Sequence, residues 1–131
     1  VGLAELRAAW NHIFLPEPST SEALLLELKA RFRLVLLSNT NELHFNWLWE
    51  RYPLLRHFDD YCLSYQAKAM KPDPRIFSDA VQRAGCLPEE CFYTDDIVPY
   101  VEAAREFGID AEVFTGEEPL RVQLRSRGLI A

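Results

Sequence analysis

From residue 34 to the C-terminus, short apolar runs alternate with stretches of helical periodicity, and this alternation leaves few folds open. Leu34-Val35-Leu36-Leu37 is continuously apolar, as a strand covered on both faces is, although a buried helical turn would read the same way. Tyr61 to Tyr65, Cys91 to Thr94 and Ala111 to Phe114 read as three further strands. The intervals read as helices. Ser38-Asn39-Thr40-Asn41 offers caps for a helix through Leu43, Trp47 and Leu48 that ends by Pro53. Asp73-Pro74 opens a second through Ile76, Phe77, Ala80 and Val81, with Gly85 as its stop. A third runs to Gly108 and a last from about Glu117 to Gly128. Strand and helix in alternation predict an α/β domain, a parallel sheet flanked by helices.

The first 33 residues read differently. Leu3, Leu6, Trp10, Ile13 and Phe14 recur at helical spacing, which predicts an amphipathic helix over 3–14 that stops before Pro16 and Pro18. Ser19 to Glu22 has the S-x-x-E pattern of a capping box, opening a helix with Leu24, Leu25 and Leu28 inward. With 131 residues and 49% apolar content, the chain suits one domain with a moderate core.

Charge and cysteines narrow the function. A formal charge of −6 argues against a nucleic-acid partner, and Arg121, Arg125 and Arg127 read as the solvated face of the last helix. No run approaches the roughly 20 apolar residues of a membrane span, and the N-terminus lacks a signal-peptide layout, so a cytoplasmic location away from membranes is expected. Cys62, Cys86 and Cys91 are odd in number with no C-x-x-C spacing, which points to reduced thiols. Neither an internal repeat nor a glycine-rich phosphate loop is present.

In open parallel sheets chemistry gathers beyond the carboxyl ends of the strands, so the residues that close each strand matter most. Ser38 and Asn39 close the first, Lys71 follows the second on a loop held by Pro72 and Pro74, and Asp95 and Asp96 close the third. Each has an ordinary explanation: a helix cap, a surface lysine, a pair of capping acids. Together a hydroxyl, an ammonium and two carboxylates on one rim suit a phosphate with a hard cation.

The order Leu36-Leu37-Ser38-Asn39-Thr40-Asn41, Lys71-Pro72-Asp73-Pro74-Arg75-Ile76-Phe77 and Tyr93-Thr94-Asp95-Asp96, followed by Ala103-Ala104-Arg105 and Gly108, resembles motifs II, III and IV of the haloacid dehalogenase-like (HAD) hydrolase superfamily. By this resemblance residues 34–131 correspond to the α/β core and residues 1–33 to a remnant of the cap and return helices. It implies a phosphatase-like site with a divalent metal, Mg²⁺ first, with Mn²⁺ or Zn²⁺ as substitutes. Ser38 and Asn39 would bind phosphate, Lys71 would bind it and offset negative charge, and Asp95 and Asp96 would hold the metal directly or through water. Lys68 stands where a glycine is usual before the lysine, and Tyr100 where an asparagine often follows the acidic pair.

A larger departure concerns the first motif. Family members carry an Asp-x-Asp on a central first strand, whose first aspartate attacks phosphorus; here no aspartate precedes Asp59. The expectation is a truncated HAD-like sheet lacking that strand, its inner edges unpaired. A homo-oligomer follows, a dimer with shared or exchanged elements. The expected activity is hydrolysis of a small-molecule phosphate ester, with Asp96, Lys71 and Ser38 as the catalytic set. Metal-assisted water would replace the missing aspartate, which favours activated mono-, di- or triesters. His44 is a second candidate base, set against a packing role beside Phe45 and Trp47. The alternative is a non-catalytic phosphate- and metal-binding pseudoenzyme, or a piece that needs a complementing N-terminal segment.

Overall fold

The computed structural model describes residues 5–8 and 21–131. β2 (Leu34–Ser38) and β4 (Cys91–Asp95) are buried at every position, as strands in a sheet covered on both faces must be. β3 (Asp60–Leu63) lies outside β2 and β5 (Asp110–Val113) outside β4. Between β2 and β4 runs β1 (Glu5–Ala8), and the sheet order is β3-β2-β1-β4-β5 with every pair parallel.

Two expectations are corrected by β1. The central position is not vacant: Leu6 pairs with both Leu34 and Phe92, and Ala8 with both Leu36 and Thr94. Nor do residues 5–8 belong to a helix; the rest of the expected 3–14 helix lies outside the described residues. The physical reason is that helical spacing is a local signal, whereas the inner edges of β2 and β4 offer backbone partners on both sides, and tertiary pairing overrides propensity. Because the strand comes from the same chain, no element from a second copy is needed to close the sheet.

Alternate residues of β2 feed two cores. Leu34 and Leu36 join Phe92, Phe114 and the inward leucines of α1 (Glu22–Lys29) and α6 (Glu117–Ser126). Val35 and Leu37 join Tyr93 with Ile76, Phe77 and Ala80 of α4 (Pro74–Ala84) and Val101 and Ala104 of α5 (Val98–Phe107). The expected Leu24, Leu25 and Leu28 are the buried side of α1. Its cap is Ser21 rather than Ser19, which lies outside the described residues. Ser21 Oγ accepts from Leu24 N–H, while its own N–H and hydroxyl donate to Glu117 at 2.6 and 3.0 Å. Replacing Ser21 by alanine should therefore cost about 1 kcal/mol, read as a lower urea midpoint; an unchanged midpoint would remove Ser21 as the cap.

α2 (Glu42–Arg51) starts at the Asn41 cap but buries only Leu48, leaving Leu43 and Trp47 exposed. β3 is shorter than 61–65 because Ser64–Ala67 turns into a four-residue helix, α3, closed by Lys68 at φ +58°. That left-handed residue occupies the position where glycine would cost nothing sterically, which accounts for the family's preference there. Asp73 caps α4 as expected, with Pro74 in its first turn. Arg121 pairs with Glu117 and Glu27, and Arg127 with Asp110 and Glu112. Among the described residues, no helix is long and apolar enough to cross a membrane.

Candidate active site

The strands all end on one rim, and the residues singled out in the sequence lie along it. Ser38 is buried at the end of β2, and Asp95 is fully buried at the end of β4, with β1 between these two strands. Lys71 enters from the loop after α3. Its side chain is also fully buried, and Nζ lies 2.9 Å from Asp95 Oδ2 and 3.5 Å from the carbonyl of Leu37, the residue before Ser38. The ammonium thus bridges the strands that flank β1. Leu37 and Asp95 are each one step beyond Leu36 and Thr94, the partners of Ala8, so the charge sits at the place where the chain leaves β1.

Asn39 fixes this lysine from the backbone. Its Oδ1 accepts from Lys71 N–H at 2.8 Å and its Nδ2 donates to Lys71 C=O at 3.2 Å, a two-point clamp that aims the side chain inward. Ser64 makes a similar tie between the loop after β2 and the end of β3, donating to Thr40 C=O and accepting from Thr40 N–H, both at 2.8 Å. Tyr100 lies over the lysine, its ring centroid 5.0 Å from Nζ and its hydroxyl accepting from Asn39 Nδ2 at 3.4 Å. An asparagine at that position would lack the ring face that a cation favours.

Asp95 is held on both oxygens. Besides Lys71, Oδ2 accepts from the Tyr93 hydroxyl, and Oδ1 accepts from Ile97 N–H at 3.1 Å. Burial, then the charge of Asp95, pushes the Tyr93 hydroxyl well above the ordinary tyrosine range, so it stays a proton donor in that bond. Burial lowers Lys71 below the ordinary lysine range, with Asp95 and Asp96 pulling the other way. Asp96 is exposed just past the strand, and burial of its carboxylate together with its hydrogen bond to Asp95 raises it above the usual range. One lysine does not fully neutralise the two acids.

Tyr93 and Tyr100 are members of the site that sequence reasoning missed. Tyr93 was legible in principle: it lies two residues before Asp95 on one strand and so shares its face. His44 falls on the exposed side of α2, where its ring stacks on Trp47 with centroids 6.1 Å apart.

A divalent metal can be tested against this donor set. Among the described residues no group of three or more His, Cys, Asp or Glu side chains converges. The acids that remain, Asp96 and the Oδ1 side of Asp95, are hard oxygen donors carrying surplus negative charge. They match a Mg²⁺ ion that keeps most of its waters and takes one or two carboxylates.

Residues 8–108 match the family model described as haloacid dehalogenase-like hydrolase. The chain belongs to this family. It is 28% identical over 114 residues to a D-ribitol-5-phosphate phosphatase of Bacteroides thetaiotaomicron, covering 82% of this chain and 55% of that protein. Identity is also 28% over 106 residues to a phosphorylated carbohydrates phosphatase of Thermotoga maritima, covering 81% and 49%. Among solved structures, a HAD family enzyme from B. thetaiotaomicron in complex with magnesium and inorganic phosphate superposes with a TM-score of 0.65 at 34% identity, over 72% of this chain and 50% of that one. The HAD-like chain therefore spans about half the length of the curated relatives it matches. Beyond β1 its sequence continues Ala9-Trp10-Asn11-His12, and no carboxylate occurs until Glu17. The central strand is present, but the family's aspartate is not.

Proposed function

We propose that this HAD-like domain hydrolyses phosphate esters of small molecules with water as the nucleophile. The observation that carries the reading is the buried Lys71–Asp95 pair, clamped by Asn39 beside Ser38 at the carboxyl end of the sheet. Ser38 and the start of α2 donate to the phosphoryl oxygens, and the Lys71 ammonium offsets their charge. Asp96, exposed and with a raised proton affinity, takes the proton of the attacking water as the water oxygen bonds to phosphorus and the ester oxygen departs. A bound Mg²⁺ ion, held by Asp96 and Asp95, would supply further charge neutralisation at the phosphate. With no aspartate after β1 to protonate the leaving oxygen, esters of acidic alcohols are favoured. The named relatives support a phosphorylated small molecule as the substrate class, within which esters with good leaving groups are favoured.

A panel of aryl phosphate mono-, di- and triesters with Mg²⁺, Mn²⁺ or Zn²⁺, and an EDTA control, tests this. Turnover is expected to fall about 100-fold or more in Asp96→Ala and to disappear with EDTA. Absence of turnover, or turnover indifferent to both, overturns it. The half-length match and the lack of an aspartate after β1 before Asp59 favour one rival, a domain that awaits a complementing N-terminal segment. Activity that appears only when a segment carrying Asp-x-Asp is added would establish the rival.

A further inference from the structure

We propose that Cys86 and Cys91 form a modification site: Cys86 is the entry thiol for a small-molecule disulfide, and Cys91 resolves the adduct into an intramolecular bond. The two sulfurs lie 3.2 Å apart. The chain is built to hold them there. Gly85, at φ +74°, ends α4 with its N–H bonded to the carbonyls of Val81 and Gln82. A 3-10 turn, Pro88–Glu90, then reverses direction, closed by Glu90 Oε1 accepting from Leu87 N–H at 3.0 Å. Cys91 opens β4 with its thiol donating to Leu87 C=O at 3.4 Å, inside the same loop. Bond formation would close the pair from 3.2 Å to about 2.05 Å. No third ligand gathers with the pair among the described residues, so oxidation rather than metal binding is the chemistry offered.

Access fixes the order of events. Cys91 is 1% exposed, whereas Cys86 is half-buried and lines an open cavity of about 420 Å³ with Gln82, Gly85, Leu87 and Glu90. The Cys86 thiolate attacks one sulfur of a disulfide such as oxidised glutathione, forming a mixed disulfide and releasing one glutathione thiol. The Cys91 sulfur then attacks the Cys86 sulfur and expels the second glutathione, whose thiolate takes up the Cys91 proton. Two protein thiols are oxidised as one small disulfide is reduced to two thiols. The bond would tie the end of α4, the helix that follows the Lys71 loop, to the start of the strand that ends in Asp95.

The test treats the full chain with oxidised glutathione and maps the products by alkylation and peptide mass spectrometry. Cys62 serves as the internal control, since it is buried on β3, three strands away from β4 in the sheet. Wild type is expected to yield the Cys86–Cys91 link without retained glutathione, and Cys62 should remain alkylatable. Cys91→Ala is expected to retain glutathione on Cys86, and Cys86→Ser to leave Cys91 unmodified. Wild type that accumulates the Cys86 adduct, or leaves both thiols free, overturns the proposal. Because wild type alone decides between these outcomes, the test stands even if a variant fails to fold.

Discussion

Replacing Asp95 by alanine should cost this domain about 3–5 kcal/mol, as much as truncating a large core side chain. Lys71 and Asp95 are both fully buried, 2.9 Å apart. Removing the carboxylate leaves the ammonium with a carbonyl at 3.5 Å and the face of Tyr100, while the Tyr93 hydroxyl loses its acceptor. Lys71→Met should be costly for the mirror reason, a buried anion left without its cation while the Tyr93 hydroxyl and Ile97 N–H still donate to it. The double variant K71M/D95N removes both charges and keeps an oxygen for these two donors, so it should be more stable than the sum of the single losses implies. Urea unfolding of the four proteins measures the coupling. Strictly additive losses would mean that the two charges do not depend on each other, and the account of the site would fail with them.

The lysine and the acids could be read from the sequence because each follows a strand, and a parallel sheet brings such positions to one rim whatever the details of packing. Their division of labour could not be read. Both acids were expected to hold the metal, with Asp96 also in the catalytic set; in the fold Asp95 is buried and bonded to Lys71, Tyr93 and Ile97, whereas Asp96 is exposed. The difference comes from the pleat, which points Tyr93 and Asp95 to one face and ends the strand before Asp96. β1 was illegible for another reason. Its four residues lie within a run whose apolar spacing is helical, and only the two neighbouring strands select the extended form. Asn39 was expected to touch phosphate; its amide bonds the Lys71 backbone and the Tyr100 hydroxyl, a pairing set by a loop more than 30 residues away in sequence that spacing alone does not show.

Proline at Leu6 should be the second severe lesion, with a loss of about 3 kcal/mol or more. A central strand bonds to a neighbour on each side, so every N–H of β1 faces β2 or β4, and proline removes one such bond and pushes its ring into the ladder. Leu6→Val keeps the N–H and a strand-forming side chain, and should cost far less, which separates backbone pairing from side-chain loss. Because β1 belongs to the same chain as its partners, the unfolding midpoint of wild type should not depend on protein concentration. A midpoint that rises with concentration, or an indifferent L6P variant, would place another copy's segment at the centre of the sheet. The lesion should also reach the site. Lys71 spans from Leu37 to Asp95 across the end of β1, so loosening that strand separates the groups the lysine joins, and phosphate-ester turnover should fall further than the remaining folded fraction accounts for.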